Sequence, residues 1–201
     1  EANQVTSVNV DGFRECSKLQ KANLQGLKAM RSNAFFGCTS LVELGAPNIE
    51  HIGRRGLVGV SIPEFKAEKI QSIGKEAFAG AITLFRVSFG PLLRRIPESC
   101  FSNCVCLVTA DIPNVSIISK KAFKNCDSLK VFNVSDACRI IADGAFCGSA
   151  MEDLPLVNAK TAVMDRAFEP HLRPLSVLVR LRHMYPYRIV SPRKGLLAPQ
   201  R

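Results

Sequence analysis

A phenylalanine recurs along the chain at nearly constant spacing, and this periodicity constrains the fold more than any other feature. Self-similarity at a period of 20–50 residues is typical of repeat proteins, in which one short unit is copied and stacked. A single unit cannot bury its apolar side chains, whereas stacked copies bury a continuous core. The chain is therefore predicted to be a solenoid. The recurring positions, which we call the anchors, are 21–23 residues apart and are occupied by Phe13, Phe35, Leu57, Phe78, Phe101, Phe123, Phe146 and Phe168.

A second apolar segment begins about six residues after most anchors. It is spaced apolar-x-x-apolar-x-apolar, as in Leu84, Val87 and Phe89. Its last three positions alternate in the way that a short strand with one buried face does. The anchor segment itself, for example residues 75–80, has the length of about one helical turn. The predicted fold class is α/β, a leucine-rich-repeat solenoid of about eight repeats, with short parallel strands on one face and short helical turns on the other.

The sequence resembles a known family at residues 72–80 (Ser-Ile-Gly-Lys-Glu-Ala-Phe-Ala-Gly) and at residues 121–129. It is similar there to the BspA-type (treponeme-type) leucine-rich repeats of bacterial and protozoan proteins, and the resemblance extends over residues 5–168. The resemblance implies a non-enzymatic protein associated with surface adhesion and protein binding, with no catalytic residues to assign. The chain departs from the repeat pattern at Leu57, around Phe168 and in the C-terminal tail.

The cysteines are interpreted as structural thiols rather than as a disulfide framework or a metal site. Cys16, Cys38, Cys104 and Cys126 share one repeat position, where other copies have Val, Ala or Ser. A position that accepts Val and Ala selects a small buried side chain and not a covalent bond. The cysteines near residue 100 include no Cys-x-x-Cys pair and have no histidine nearby, so neither a metal nor a cofactor is predicted.

Basic residues give the chain a formal net charge of +10. Many of them fall between a strand and the next anchor, where stacking would place them in a stripe along one side of the solenoid. The stripe has two interpretations that the sequence leaves open, a surface that keeps the solenoid soluble and a surface that faces a partner. The residues proposed for partner binding in the stripe are Arg54, Arg55, Arg94, Arg95, Lys120, Lys121 and Arg139.

The C-terminal tail carries the densest uncompensated charge. Seven of the 27 basic residues but one of the 17 acidic residues lie after residue 168, together with several prolines. This composition predicts residues 1–181 as a solenoid with a C-terminal capping strand and residues 182–201 as a basic arm that docks on RNA phosphate or an acidic protein. The tail residues proposed for this contact are Arg180, Arg182, Arg188, Arg193 and Lys194.

Two functions remain open from the sequence, and both are non-catalytic. The first is a protein-interaction scaffold that serves as a structural subunit of a larger intracellular or organellar assembly. It would bind other proteins through the solenoid faces and an uncapped N-terminal edge, and this setting is favoured over the cell surface. The alternative is a cell-surface or secreted adhesion module that binds host or matrix proteins. No stretch has the roughly 20 apolar residues of a transmembrane helix, and no residues at catalytic spacing converge on a site.

Overall fold

The computed structural model describes residues 4–133, 137–150, 161–164 and 166–168. Within these residues the regular secondary structure consists of short β-strands, and no helix is present. The strands in chain order are β1 (Ser7–Val8), β2 (Lys21–Asn23), β3 (Ala29–Met30), β4 (Glu43–Gly45), β5 (His51–Ile52), β6 (Glu64–Ala67), β7 (Ser72–Ile73), β8 (Arg86–Phe89), β9 (Arg95–Ile96), β10 (Thr109–Asp111), β11 (Ile117–Ile118), β12 (Val131–Asn133), β13 (Ile140–Ile141) and β14 (Ala162–Val163).

Two parallel ladders run along the solenoid, and each copy of the repeat forms one coil. The first ladder comprises two four-stranded sheets, β1-β3-β5-β7 and β9-β11-β13-β14. The second ladder comprises β2-β4 and β6-β8-β10-β12. Paired residues are one repeat apart, so that Thr109 lies between Arg86 and Val131. Side chains at equivalent repeat positions therefore form columns with one residue per coil, spaced by about 4.8 Å.

The second ladder confirms the strands predicted from the apolar segments. In β8, Val87 and Phe89 are buried and Arg86 is exposed, as the alternation predicts. The first ladder was not predicted. Its strands are two residues long, which is too short for a period of two to be visible in the sequence. Its buried residue lies five positions before the anchor, as Ile96 and Ile118 do in their coils.

The anchor segments are successions of tight turns, and the prediction of helical turns is wrong. In the Phe101 coil the amide of Ser102 donates to the carbonyl of Ser99, three residues back, whereas the amides of Phe101 and Asn103 donate to the next coil. Ser99 and Asn103 have positive φ angles of 53° and 61°, which a right-handed helix cannot contain. Positive φ recurs two residues before and two after each anchor from Phe13 to Phe146, at Asp11, Glu15, Asn33, Gly37, Arg55, Gly59, Glu76, Gly80, Ser99, Asn103, Lys121, Asn125, Gly144 and Gly148.

The anchor rings form a spine through the core. Phe101 stacks on Phe78 and on Phe123, with ring centroids 5.1 Å apart in both cases and interplanar angles of 13° and 10°. The stack continues from Phe123 to Phe146 at 5.3 Å. These anchors are fully or almost fully buried. At Leu57, also buried, an aliphatic side chain replaces the ring, so the stack is interrupted in this coil.

Cys38, Cys104 and Cys126 pack beside this spine, as predicted for their shared repeat position, whereas Cys16, at the same position in the first coil, is exposed, and the prediction is wrong there. Cys104 and Cys126 are fully buried, and their thiols donate to the carbonyl oxygens of Phe78 and Phe101 in the preceding coils, both at 3.1 Å. Cys38 donates in the same way to the anchor carbonyl of the coil before it, at 2.9 Å. The thiol therefore supplies a second hydrogen bond to an anchor carbonyl inside the core.

The division of the chain at residue 181 stays a prediction. The proposed capping strand at residues 175–181 and the proposed arm at residues 182–201 lie outside the described residues. The five tail residues proposed for partner binding lie there as well.

Candidate interaction surfaces

The predicted basic stripe divides into two columns. The first lies in the turns, two or three residues before the anchors, and contains Arg54, Arg55, Lys120 and Lys121. The second lies at the first ladder, six or seven residues before the anchors, and contains Arg94, Arg95 and Arg139. The fold brings together the members within each column, because columns follow the coil-to-coil register.

Carboxylates compensate the charge in part of the first column. Glu76 accepts a hydrogen bond from Arg55 Nε to its Oε2 at 2.5 Å, and Arg54 Nη2 lies 3.9 Å from its Oε1. In the next pair of coils, Lys75 Nζ lies 2.9 Å from Glu98 Oε2. Arg54 and Arg55 are thus held in ion pairs between coils, which reduces the charge that they can offer to a partner.

Glu98 marks the place where this compensation ends. The hydrogen bond from Lys75 is the largest effect on the pKa of Glu98 and lowers it, while desolvation opposes this change. The positive charges of Lys75, Lys120 and Lys121 make smaller contributions that also lower the pKa. Glu98 makes its short contact with Lys75. Lys120 and Lys121 interact with Glu98 only at longer range and form no close ion pair in the described part of the chain. Both lysines are exposed.

The second column has no acidic partners within the described residues. Among the described residues, Arg94, Arg95 and Arg139 form no ion pair, and all three are exposed. The coil between them contributes Ser116, whose hydroxyl donates to the carbonyl of Arg94 at 3.0 Å. The amide of Arg139 in turn donates to the carbonyl of Ser116 at 2.8 Å. Arg94 and Arg139 are therefore two coils apart, which corresponds to about 10 Å along the solenoid.

Charged residues on the second ladder neutralise one another. Lys21 Nζ lies 2.7 Å from Glu43 Oε2, and Arg86 Nε lies 3.6 Å from Glu64 Oε1. The hydrogen bond to Glu43, together with its negative charge, raises the pKa of Lys21. These pairs join opposite charges on adjacent parallel strands, as expected for cross-strand compensation.

An exposed apolar column runs beside these pairs, at the position that precedes strands β4, β6, β8 and β10 of the second ladder. We call it the apolar column and define it as Val42, Pro63, Phe85 and Val108. The amide of Phe85 donates to the carbonyl of Pro63 at 2.8 Å, and the amide of Val108 donates to that of Phe85 at 2.9 Å. Phe85 is 41% exposed and Val42 is 49% exposed. Val131 is also exposed, and its amide donates to the carbonyl of Val108 at 3.0 Å.

The sequence interpretation missed the apolar column, although a signal for it exists. Leu84 and Phe85 are adjacent, as are Leu107 and Val108. The first residue of each pair is fully buried and the second is exposed. Because neighbouring side chains in extended backbone point to opposite sides, one member of an adjacent apolar pair has to face outward.

The described residues contain no group of three or more side chains that could hold a metal ion. None of their segments forms a helix that is long and apolar enough to cross a membrane. What the described part of the chain displays is the apolar column, the neutralised second ladder and the unpaired arginines of the first ladder.

The sequence profile that describes the BspA-type leucine-rich repeat region matches residues 2–57 and 58–172. The chain belongs to the BspA-type leucine-rich repeat family. The profile counts six copies, so the solenoid is supported for about six turns rather than for the eight repeats counted from the anchors. Leucine-rich repeats of this kind are generally protein-interaction modules and are typically non-catalytic. No curated protein matches the chain by sequence.

Solved structures of bacterial leucine-rich repeat proteins share the fold. One from Bacteroides ovatus has a TM-score of 0.66 and 22% identity and covers 79% of this chain. One from Eubacterium ventriosum has a TM-score of 0.56 and 18% identity and covers 83%. The leucine-rich repeat protein of T. pallidum has a TM-score of 0.50 and 16% identity and covers 90% of this chain and 77% of its own. This chain spans 49% and 41% of the first two proteins.

Proposed function

We propose that this BspA-type repeat protein is a non-catalytic protein-binding module that uses the apolar column as its contact surface. Phe85 carries the proposal, because it is an aromatic side chain that lies exposed between Pro63 and Val108 in adjacent coils. Contiguous exposed apolar surface marks interaction sites on soluble proteins. Aromatic side chains are enriched at the centres of such interfaces. The charged pairs of the second ladder lie beside the column and would form the polar rim of such an interface.

The setting that we favour is adhesion, in which the module binds host or matrix proteins. Membership of the BspA-type family supports adhesion, since the resemblance implies that role. The competing role, in which the protein is a subunit of an intracellular assembly, gains no support from the comparisons. Protease treatment of intact cells that express the native protein separates the two settings. Digestion without cell lysis is expected, and full protection with digestion only after lysis would contradict the adhesion setting.

The tail is proposed as a second contact, in which residues 182–201 dock on an acidic protein or on RNA phosphate. Its support is the excess of basic residues after residue 168. Deletion of residues 182–201 is expected to leave the unfolding transition unchanged and to weaken binding to an acidic protein or to RNA. If binding and its salt dependence are both unchanged by the deletion, the arm has no docking role.

The binding function is tested with a panel of purified host-cell and matrix proteins on a sensor surface. The native chain is expected to bind at least one of them saturably. Phe85→Asp, which places a charge in the apolar column, is expected to reduce the affinity at least about tenfold, as for a residue at the centre of an interface. Lys66→Gln is the matched control, because Lys66 is exposed on the second ladder outside the column. Equal binding by the native chain and Phe85→Asp would contradict the proposal.

A further inference from the structure

The outward side chains of the first ladder differ between the early and the later coils of the solenoid. Its outward positions are small or polar in the early coils, where His51 Nδ1 and Ser72 Oγ lie 2.9 Å apart. In the later coils the same column reads Arg95, Ile117 and Ile140, and the register places Ile117 between the other two. The change occurs where the strands pass from the sheet that ends in β7 to the sheet that begins with β9.

Aliphatic and cationic side chains lie next to one another on this part of the surface. Ile117 is half-buried and Ile140 is 36% exposed, although each precedes a buried isoleucine in its strand. Arg94 and Arg139 lie one position earlier in the flanking coils. We call this surface the ladder patch and define it as Arg94, Arg95, Ile117, Arg139 and Ile140.

The charge of the ladder patch is available to a partner. Arg94, Arg95 and Arg139 have no ion pair within the described residues, in contrast to Arg54 and Arg55, which Glu76 engages. The only bond from an arginine side chain of the patch in this part of the chain is a long one, from Arg94 Nη1 to the carbonyl of Asn114 at 3.5 Å. Cations that a fold leaves unpaired on one face attract an anionic partner and accelerate its association.

Carboxylates approach the ladder patch from one side. Glu98 and Asp143 lie three residues before their anchors, in the turns that follow β9 and β13. Glu98 is already engaged by Lys75 at 2.9 Å. Lys120 occupies the same turn position in the coil between them, Lys121 follows it, and both are exposed. The two lysines beside the patch therefore balance the two carboxylates, so the neighbouring turns do not cancel the positive charge of the arginines.

We propose that the ladder patch binds an acidic polypeptide segment that carries aliphatic side chains between its carboxylates. The arginines pair with the carboxylates, and Ile117 and Ile140 pack against the aliphatic side chains. Two coils separate Arg94 from Arg139, which is about 10 Å. This distance matches carboxylates three residues apart in a polyproline II segment, whose three residues per turn place them on the same side about 9 Å apart. The isoleucines favour a polypeptide over a nucleic acid, because a phosphate backbone offers no apolar group to cover them.

The proposal rests on the protein-binding function but uses a face other than the apolar column. It predicts that Phe85→Asp leaves binding at the ladder patch intact, and that loss of the patch leaves binding at the apolar column intact. Failure of one is therefore distinguishable from failure of the other.

The test uses fluorescently labelled peptides and the complete chain, with binding measured by anisotropy at low and at physiological salt. The probe is a short peptide of Glu-Leu-Ser repeats. Its controls are Gln-Leu-Ser repeats, which remove the charge, and Glu-Ser-Ser repeats, which remove the aliphatic side chain. An oligouridylate of similar length tests the competing nucleic-acid partner.

The variants separate charge from apolar contact. Arg94→Gln combined with Arg139→Gln is expected to weaken binding of the Glu-Leu-Ser probe about tenfold or more, and Ile140→Ser is expected to weaken it severalfold at unchanged net charge. Lys66→Gln combined with Arg86→Gln removes the same charge from the second ladder. This control is expected to change the affinity for the Glu-Leu-Ser probe less than about twofold.

Three results would overturn the proposal. One is the absence of measurable binding to the Glu-Leu-Ser probe. Another is equal loss of affinity in the ladder-patch and second-ladder double variants, which would show attraction by net charge alone. The last is oligouridylate binding that matches the peptide in affinity and is insensitive to Ile140→Ser, which would identify a phosphate-binding surface.

Discussion

The thiol of Cys126 donates a hydrogen bond to the carbonyl oxygen of Phe101, the anchor of the preceding coil, at 3.1 Å. The same carbonyl accepts the amide of Cys104 within its own coil at 3.2 Å. The anchor carbonyl therefore has both of its acceptor sites occupied inside the core, one by its own coil and one by the next. A buried carbonyl with two lone pairs is stabilised most when both are used.

Because these thiols are buried, the solenoid is expected to lose stability at alkaline pH. Burial raises the pKa of Cys100, Cys104 and Cys126 well above the usual thiol range and raises that of Cys138 to about 11. The unfolded chain, with ordinary thiols, loses these protons first. The contribution to the free energy of unfolding is thus complete below about pH 8.5 and is lost as the pH rises toward the folded-state values.

We predict that the free energy of unfolding falls as the pH is raised from 8 to 11, by up to about 1.4 kcal/mol per pH unit for each buried thiol. Urea denaturation at a series of pH values measures this slope. Cys138→Val removes one thiol and is expected to make the slope shallower between about pH 9 and 11, whereas Cys106→Ser, at an exposed position, is expected to leave it unchanged. A slope that is the same in all three proteins would contradict the linkage.

Phe123 is expected to be among the most costly side chains to truncate. Its ring is fully buried between those of Phe101 and Phe146, with centroid distances of 5.1 and 5.3 Å. Phe123→Ala would open a cavity in the spine and lower the free energy of unfolding by about 3–5 kcal/mol. Phe85→Ala, at an exposed position, is expected to cost about 0.5 kcal/mol or less. A loss below about 1 kcal/mol for Phe123→Ala would refute the role of the spine.

Two glycines are expected to resist substitution for different reasons. A Cβ at Gly90 would lie 1.8 Å from the carbonyl oxygen of Glu68 in the preceding coil, so Gly90→Ala forces the two coils apart. A Cβ at Gly59 would meet no atom within 4 Å, but the φ of +69° there is strained for alanine. We predict a cost above about 4 kcal/mol for Gly90→Ala and of about 1–2 kcal/mol for Gly59→Ala. Equal costs in chemical denaturation would contradict the steric explanation.

The sequence predicted the features that recur in every coil with a clear apolar pattern. It missed the two-residue strands and the turn conformations, which are too short or too local to show a period. The anchor spacing and the apolar segments identified the solenoid and the strands of the second ladder. The first ladder escaped because two-residue strands carry no alternation. The anchor turns were misread because Arg55, Glu76 and Lys121, which give no turn signal, adopt the same positive φ as Gly and Asn in other coils.

The candidate surfaces were predictable to a smaller extent. The sequence located the basic residues, but pairing between coils decides which of them remain available. Arg55 and Arg139 look alike in the sequence, yet Arg55 is paired with Glu76 and Arg139 has no ion pair in the described residues. The apolar column requires knowledge of which of two adjacent apolar residues faces outward, as for Leu84 and Phe85.

The most direct test of the protein-binding function is site-specific photocrosslinking in cells that express the native protein. A benzophenone-bearing phenylalanine replaces Phe85 in one variant and His51, which is exposed on the first ladder outside the ladder patch, in another. The proposed function predicts a discrete crosslinked protein from position 85 that is absent from position 51 and is lost when Val108→Asp is added. Crosslinking at neither position, or equal crosslinking at both, would contradict it.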